Sequence, residues 1–270
     1  MNIKLIAIDM DNTLLNSNLE ISNMNKEAIN KAIDKGIKVV LCTGRPTNGA
    51  IQATKDLGLY GTEAYLITYH GAVTTDLKTM KRVTTHPLSL EEVKSLFELS
   101  HKLGVSAYGI NDEAMDTTHA EITDMAKYES KLMNLPIKQH TLDSLDTDKV
   151  YDKFMLIDQP EKVSHAENSL PKYLHDQFTI MRSDPRFLEF INISSDKGTA
   201  VDELAAKLSI PIEEVMGIGD GGNDFHLIET AGIGVAMANA IPELKEIADD
   251  ITDSNDNDGV AKAIYKWVLS

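Results

Sequence analysis

Lys4-Leu5-Ile6-Ala7-Ile8 runs directly into Asp9-Met10-Asp11-Asn12-Thr13, and this stretch decides the fold. The run is short, apolar and partly β-branched, the pattern of a strand buried on both faces, and its carboxyl end is an acid. Ile37-Lys38-Val39-Val40-Leu41-Cys42 repeats the pattern and delivers Thr43, and Ala64-Tyr65-Leu66-Ile67-Thr68 reads as a third strand. Between the first two, Ser22 can cap a helix carrying Met24, Ala28, Ile29, Ala32 and Ile33, which Gly36 closes. A second helix is expected from Thr47 to Leu57, stopped by Gly58. Strands alternating with helices in this way predict right-handed βαβ units and a parallel sheet.

The rhythm changes after Thr75. Ser89-Leu90-Glu91-Glu92 has the form of a capping box, and the helix it opens is ended by Gly104. Strands are expected at 105–110, 153–157 and 187–191, with helical patterns before Met133 and from Lys162 to Leu174. From Gly198 the parallel rhythm resumes. A helix to Leu208 is followed by the strand Val215-Met216-Gly217-Ile218, which leads to Asp220. Then come a helix, the strand Ile233-Gly234-Val235-Ala236, a helix opened by Pro242, and a last helix from Gly259. The expected fold class is therefore α/β: a doubly wound, mainly parallel Rossmann-like core formed by residues 1–84 and 189–270. Residues 85–188 form an inserted α+β domain.

Composition narrows the partners. The chain has 270 residues, of which 42% are hydrophobic, enough for a sizeable core. The formal net charge of −16, from 42 acidic against 26 basic residues, disfavours nucleic acid and anionic membrane as partners. An anionic substrate would need a local positive site. One cysteine rules out an internal disulfide, and the 8 histidines show no metal-ligand spacing. With no leader pattern and no run of about 18 apolar residues, the expectation is a soluble cytoplasmic protein.

In open α/β sheets ligands bind beyond the carboxyl ends of the strands, where Asp9, Thr43 and Asp220 all fall. Asp9 and Asp11 supply two carboxylates. One can attack phosphorus, and the other can protonate a leaving oxygen and then activate water. The bland reading of Asp11-Asn12-Thr13 is a turn. Gly219-Asp220-Gly221-Gly222-Asn223-Asp224 follows a strand, and Asp9 with Asp220 could share a magnesium ion, which prefers one or two carboxylates plus waters and phosphate oxygens. Asp224 can also simply cap the next helix. The hydroxyl of Thr43 and the backbone N–H of Gly44 can hold phosphate oxygens, or Thr43 can merely end its strand. Arg45 is a phosphate contact or a rim cation. Lys197-Gly198 at a helix start offers an ammonium beside helix N–H groups; alone it reads equally as a surface lysine. His70 follows the third strand and is either structural or a substrate contact. Cys42 reads as a small buried hydrophobe.

Taken in order, these segments resemble the haloacid dehalogenase superfamily of phosphatases, in its Cof-type branch with a large α/β cap. Ile67-Thr68-Tyr69-His70-Gly71-Ala72, Phe187-Leu188-Glu189-Phe190 and Val235-Ala236-Met237-Ala238-Asn239-Ala240 are similar to that branch as well. The resemblance implies Asp9 as nucleophile and Asp11 as general acid/base. It implies that Thr43, Gly44, Lys197 and Asn223 hold phosphate, and that Asp9, the main-chain carbonyl of Asp11 and Asp220 bind Mg2+. Asp224 would support the loop. The branch usually has Asn where this chain has His70, which bears on substrate contacts rather than on phosphoryl chemistry. The implied substrate is a small-molecule phosphate ester, a sugar phosphate for preference. A phosphomutase of related architecture would use the same motifs. A receiver-type signalling module would need about half this length and no Asp11. The sequence leaves the physiological substrate and the oligomeric state open.

Overall fold

The computed structural model describes residues 2–145 and 149–270. Met1 and residues 146–148, which fall in the expected core and insert, lie outside the described residues. Leu5–Asp9 (β1) is a strand with all its residues buried. Asn23–Asp34 (α1) follows, its first turn capped by Ser22 Oγ, which accepts the Asn25 N–H at 3.1 Å. Then come Lys38–Cys42 (β2), Thr47–Asp56 (α2) and Tyr65–Thr68 (β3). Two strands that the sequence reading did not place, Val73–Asp76 (β4) and Lys81–Thr85 (β5), extend the sheet beyond β3.

The middle block contains Leu90–Leu103 (α3), Ala107–Ile110 (β6), Met115–Thr117 (β7), Asp124–Met133 (α4), Ile137–Gln139 (β8), Lys153–Ile157 (β9), Pro160–Asn168 (α5), Phe178–Asp184 (β10) and Phe187–Asn192 (β11). The chain closes with Lys197–Lys207 (α6), Val215–Gly219 (β12), Phe225–Thr230 (α7), Ile233–Ala236 (β13), Pro242–Ile247 (α8), Asp250–Ile251 (β14) and Gly259–Ile264 (α9).

Two compact units result. The first comprises Met1–Gly44, Ala50–Thr84 and Asp196–Ser270; the second comprises Arg45–Gly49 and Thr85–Ser195. The sequence boundary at 188/189 falls inside β11. That strand pairs antiparallel with both β9 and β10, so it belongs to the second unit's sheet, and the first unit resumes at Asp196.

In the first unit the sheet order is β14-β13-β12-β1-β2-β3-β4-β5. β1 runs parallel to β2 and β12, with Asp9 opposite Cys42 and Ile8 opposite Ile218. β3 and β4 pair antiparallel, with Leu66 opposite Thr75. Alternation along β1 divides the core. Leu5 and Ala7 pack with Val201 and Leu204 of α6 and with Leu227 of α7. Ile6 and Ile8 pack on the opposite face with Ile29 of α1 and Ile264 of α9. Helices therefore cover both faces, and the doubly wound core expected from the sequence is present. No helix among the described residues is long and apolar enough to cross a membrane.

The second unit carries a sheet ordered β10-β11-β9-β6-β7-β8, antiparallel except between β7 and β8. Phe154, Leu156, Leu188 and Phe190 bury one face against Val93, Leu96 and Phe97 of α3 and Val163 of α5. Phe97 and Phe154 meet edge to face at 4.8 Å between centroids. The capping box holds α3 as expected: Ser89 Oγ accepts the Glu92 N–H, and the Glu92 carboxylate accepts the Ser89 N–H.

Alternate residues turn the other way, and there Lys153 Nζ lies 2.6 Å from Glu189 Oε2, both side chains buried. Buried Glu129 of α4 has its carboxyl pushed up to about 7, by burial first; Lys153 opposes the shift and Glu189 adds to it. A folded-state pKa above the unfolded value means that the native protein binds the extra proton. The stabilising contribution is complete below about pH 4.5 and is lost as pH rises toward about 7. Glu129→Gln mimics the protonated form. It is expected to match the unsubstituted protein near pH 4.5 and to exceed its stability above pH 7, by up to about 3 kcal/mol. Denaturant unfolding across this range checks it; a difference that does not change with pH would refute the assignment.

Candidate active site

Parallel strands bring their carboxyl ends to one edge of the sheet. β1 delivers Asp9, β2 delivers Thr43, and β12 leads to Asp220. Because Asp9 pairs in register with Cys42, Thr43 is the next residue on the neighbouring strand. After Asp9 the chain leaves the sheet. Asp11 has an extended backbone and is half-buried, and Asn12 turns left-handed at φ 57°.

Lys197, the first residue of α6, is 0% exposed. Its Nζ lies 2.5 Å from Asp9 Oδ1 and 2.6 Å from Asp224 Oδ1. Of the two readings the sequence left for this lysine, the surface one is therefore excluded. Helix α6 is fixed at its start by Asp196, whose carboxylate accepts the Thr199 N–H at 2.9 Å.

The remaining oxygen of Asp224 accepts the N–H groups of Asp220 and Gly221, each at 3.0 Å. Asp224 thus closes its own loop and neutralises Lys197 at once. Its cap on the following helix is absent: it stands at the start of α7 with no side-chain capping bond. Thr13 Oγ1 donates to Asp220 Oδ1 at 2.7 Å and ties the first motif to the last. The sequence reading assigns Thr13 no role; the signal for one is its hydroxyl in the turn that follows the β1 acid.

Asp9, Asp220 and Asp224 each offer a carboxylate oxygen, and these atoms lie within 4.8 Å of one another. Three carboxylates face one ammonium, and two of them are shifted. Burial, reinforced by Asp224, raises Asp9 well above the usual carboxylate range, against the pull of Lys197. Asp220 is raised to about 6, again by burial first, with the Thr13 hydroxyl opposing. Burial alone would depress Lys197, but Asp224 and Asp9 together hold it firmly charged. A cluster of hard oxygens with excess negative charge suits a divalent cation such as Mg2+, so the residues fit that group.

A second group of motif residues adjoins the first. Thr43 is fully buried, and its N–H is donated to the Ile67 carbonyl at 2.9 Å. Gly44 follows it. Asn223, next to Asp224, has its Nδ2 at 3.3 Å from Nδ1 of buried His70. The Arg45 guanidinium donates to the Gly49 carbonyl, and Arg45 groups with the second unit. Cys42 is buried, and burial raises its thiol pKa far from reactivity.

Residues 6–264 match the model of the haloacid dehalogenase-like hydrolase family. The chain is 40% identical over 267 residues to YxeH of Bacillus subtilis, which spans 99% of each chain. It is 33% identical to the 5-amino-6-(5-phospho-D-ribitylamino)uracil phosphatase YcsE of the same organism, over 100% of this chain and 97% of that protein. Among solved structures, the HAD subclass IIB sugar phosphatase BT4131 superposes with a TM-score of 0.82 at 25% identity, covering 99% of this chain and 100% of the other. The chain belongs to the haloacid dehalogenase-like hydrolase family and is an enzyme of its phosphatase kind.

Proposed function

We propose that the protein hydrolyses small phosphorylated metabolites, sugar phosphates for preference, through a phosphoryl group carried on Asp9. The observation that carries this reading is the buried Lys197 ammonium between Asp9 and Asp224 at the strand ends. A cation sealed at that position can hold phosphate oxygens while the Asp9 carboxylate attacks phosphorus. As the P–O bond to the substrate breaks, Asp11 gives its proton to the departing oxygen. A water then attacks the aspartyl-phosphate, Asp11 takes the water's proton, and inorganic phosphate leaves with Asp9 restored. Thr43, the Gly44 N–H and Asn223 complete the grip on the phosphoryl oxygens. Asp9, the Asp11 main-chain carbonyl and Asp220 would hold Mg2+, which when bound offsets phosphate charge and polarises the transferring group. Acid-quenched mass spectrometry after mixing with a chromogenic phosphate ester tests the covalent step; phosphate on any residue but Asp9 would sink it.

The sugar-phosphate preference is supported by what the relatives act on: a phosphoribityl compound for YcsE and sugar phosphates for BT4131. The second unit is proposed as the cap that selects among them. A panel of phosphorylated metabolites, ranked by kcat/KM, tests the substrate class, and no preference for sugar phosphates would remove it.

Metal dependence gives a separate prediction. Chelation is expected to abolish turnover, and added Mg2+ to restore it. Asp220→Ala removes one hard oxygen and releases the Thr13 hydroxyl, so it should cost about 10²-fold or more in kcat/KM at fixed Mg2+, by analogy with lost transition-state charge stabilisation. Full turnover in chelator would show that the carboxylate cluster serves another purpose.

A further inference from the structure

The turn after β3 contains a run of unusual backbone. Tyr69, His70 and Gly71 have φ of 53°, 55° and 104°, three consecutive residues in the left-handed region. For tyrosine and histidine this conformation is costly, and it persists only where the surroundings enforce it. The surroundings are the phosphate-holding loops. The His70 N–H donates to the Thr43 carbonyl at 3.0 Å. Its ring presses close on Gly44: a Cβ built there would stand 2.2 Å from Cε1 and 2.3 Å from Nε2. Its Nδ1 sits 3.3 Å from the Asn223 amide, which donates to it when the ring proton is on Nε2. Gly71 presses on the residue before Lys197, where a Cβ would come within 2.1 Å of the Asp196 carbonyl oxygen.

We propose that this turn is a positioning element, with His70 as a strut that sets Gly44 and Asn223 at the spacing a phosphoryl group requires. The proposal rests on the reading of the site given above. One short turn touches Thr43-Gly44, Asp196 beside Lys197, and Asn223, the three separate stretches of chain assigned to phosphate. His70 therefore acts through its neighbours. Only glycine at position 44 admits the ring, and only a residue tolerant of positive φ at position 70 presents it. A shift of about 1 Å in such groups is enough to change turnover about a hundredfold.

The test compares His70→Ala, His70→Gly and His70→Asn with the unsubstituted enzyme. It measures kcat and KM on a chromogenic phosphate ester with Mg2+, inhibition by inorganic phosphate, and Tm. Alanine and glycine both remove the ring, but glycine adopts the left-handed backbone without strain. Asparagine tolerates that backbone and keeps a polar group near Asn223. Alanine and glycine are expected to lose about 10- to 100-fold in kcat and to weaken phosphate inhibition, whatever their Tm. Asparagine should recover most of the loss. If alanine fails to fold, the glycine and asparagine pair decides alone. Variants that lose Tm but keep kcat and phosphate inhibition would make the turn merely structural and overturn the proposal. If the unsubstituted protein neither turns over the ester nor is inhibited by phosphate, the reading of the site falls, and the strut falls with it.

Discussion

Asp9→Asn is expected to lower turnover of a phosphate ester by about 10⁴-fold or more while leaving the fold intact. The size follows from removing the proposed nucleophile: covalent catalysis fails as a unit when its attacking group is lost. An amide of the same shape cannot displace the leaving oxygen from phosphorus, and it is a poorer ligand for a hard cation. The fold should survive because Lys197 keeps its 2.6 Å partner in Asp224. The substitution also removes one carboxyl from a cluster that burial and mutual repulsion already disfavour as charged. In metal-free buffer the variant should therefore melt no lower than the parent. Steady-state rates, Tm and acid-quenched mass spectrometry on the same preparation separate the possibilities. A folded variant that keeps more than about a hundredth of the activity would rule out attack by Asp9.

The framework of this site was legible because parallel topology does most of the placing. Once Leu5-Ile6-Ala7-Ile8 and Val215-Met216-Gly217-Ile218 read as buried strands, Asp9 and Asp220 had to emerge at one edge. What stayed hidden depends on which side chains meet across distance. The sequence does not say that Asp224 pairs with Lys197 across 27 residues, or that Thr13 reaches Asp220 across 207. A carboxylate four residues after another reads as a helix cap unless a buried cation is known to face it. The strands β7 and β8 were missed for a different reason. Met115-Asp116-Thr117 and Ile137-Lys138-Gln139 are too short to show a period, and they exist as strands through pairing, β7 with β6 and β8, and β8 with β7. The boundary at 188/189 cuts through Phe187–Asn192, and its antiparallel partners assign the whole strand to the second sheet.

Lys197→Met is expected to harm both stability and catalysis, by different routes that a second substitution separates. The side chain is fully buried, and methionine fills much of its volume without a charge. Removing one partner from a buried ion pair strands the others, which costs about 3–5 kcal/mol in comparable sites. Turnover should fall about 10²- to 10³-fold as well, since a preorganised donor at the transferring group is lost. Lys197→Arg should not restore it, because a planar guanidinium is bulkier than the compact ammonium whose fully buried place it would take. Lys197→Met combined with Asp224→Asn removes one of the two stranded carboxylates while the asparagine amide stays beside the Asp220 loop. The double variant should regain part of the lost stability and none of the lost rate. Denaturant unfolding and steady-state kinetics on the two single variants and the double complete the cycle. A rate that recovers along with stability would mean that Lys197 only holds the fold together, and the cation proposed to grip the phosphoryl group would have to be sought elsewhere.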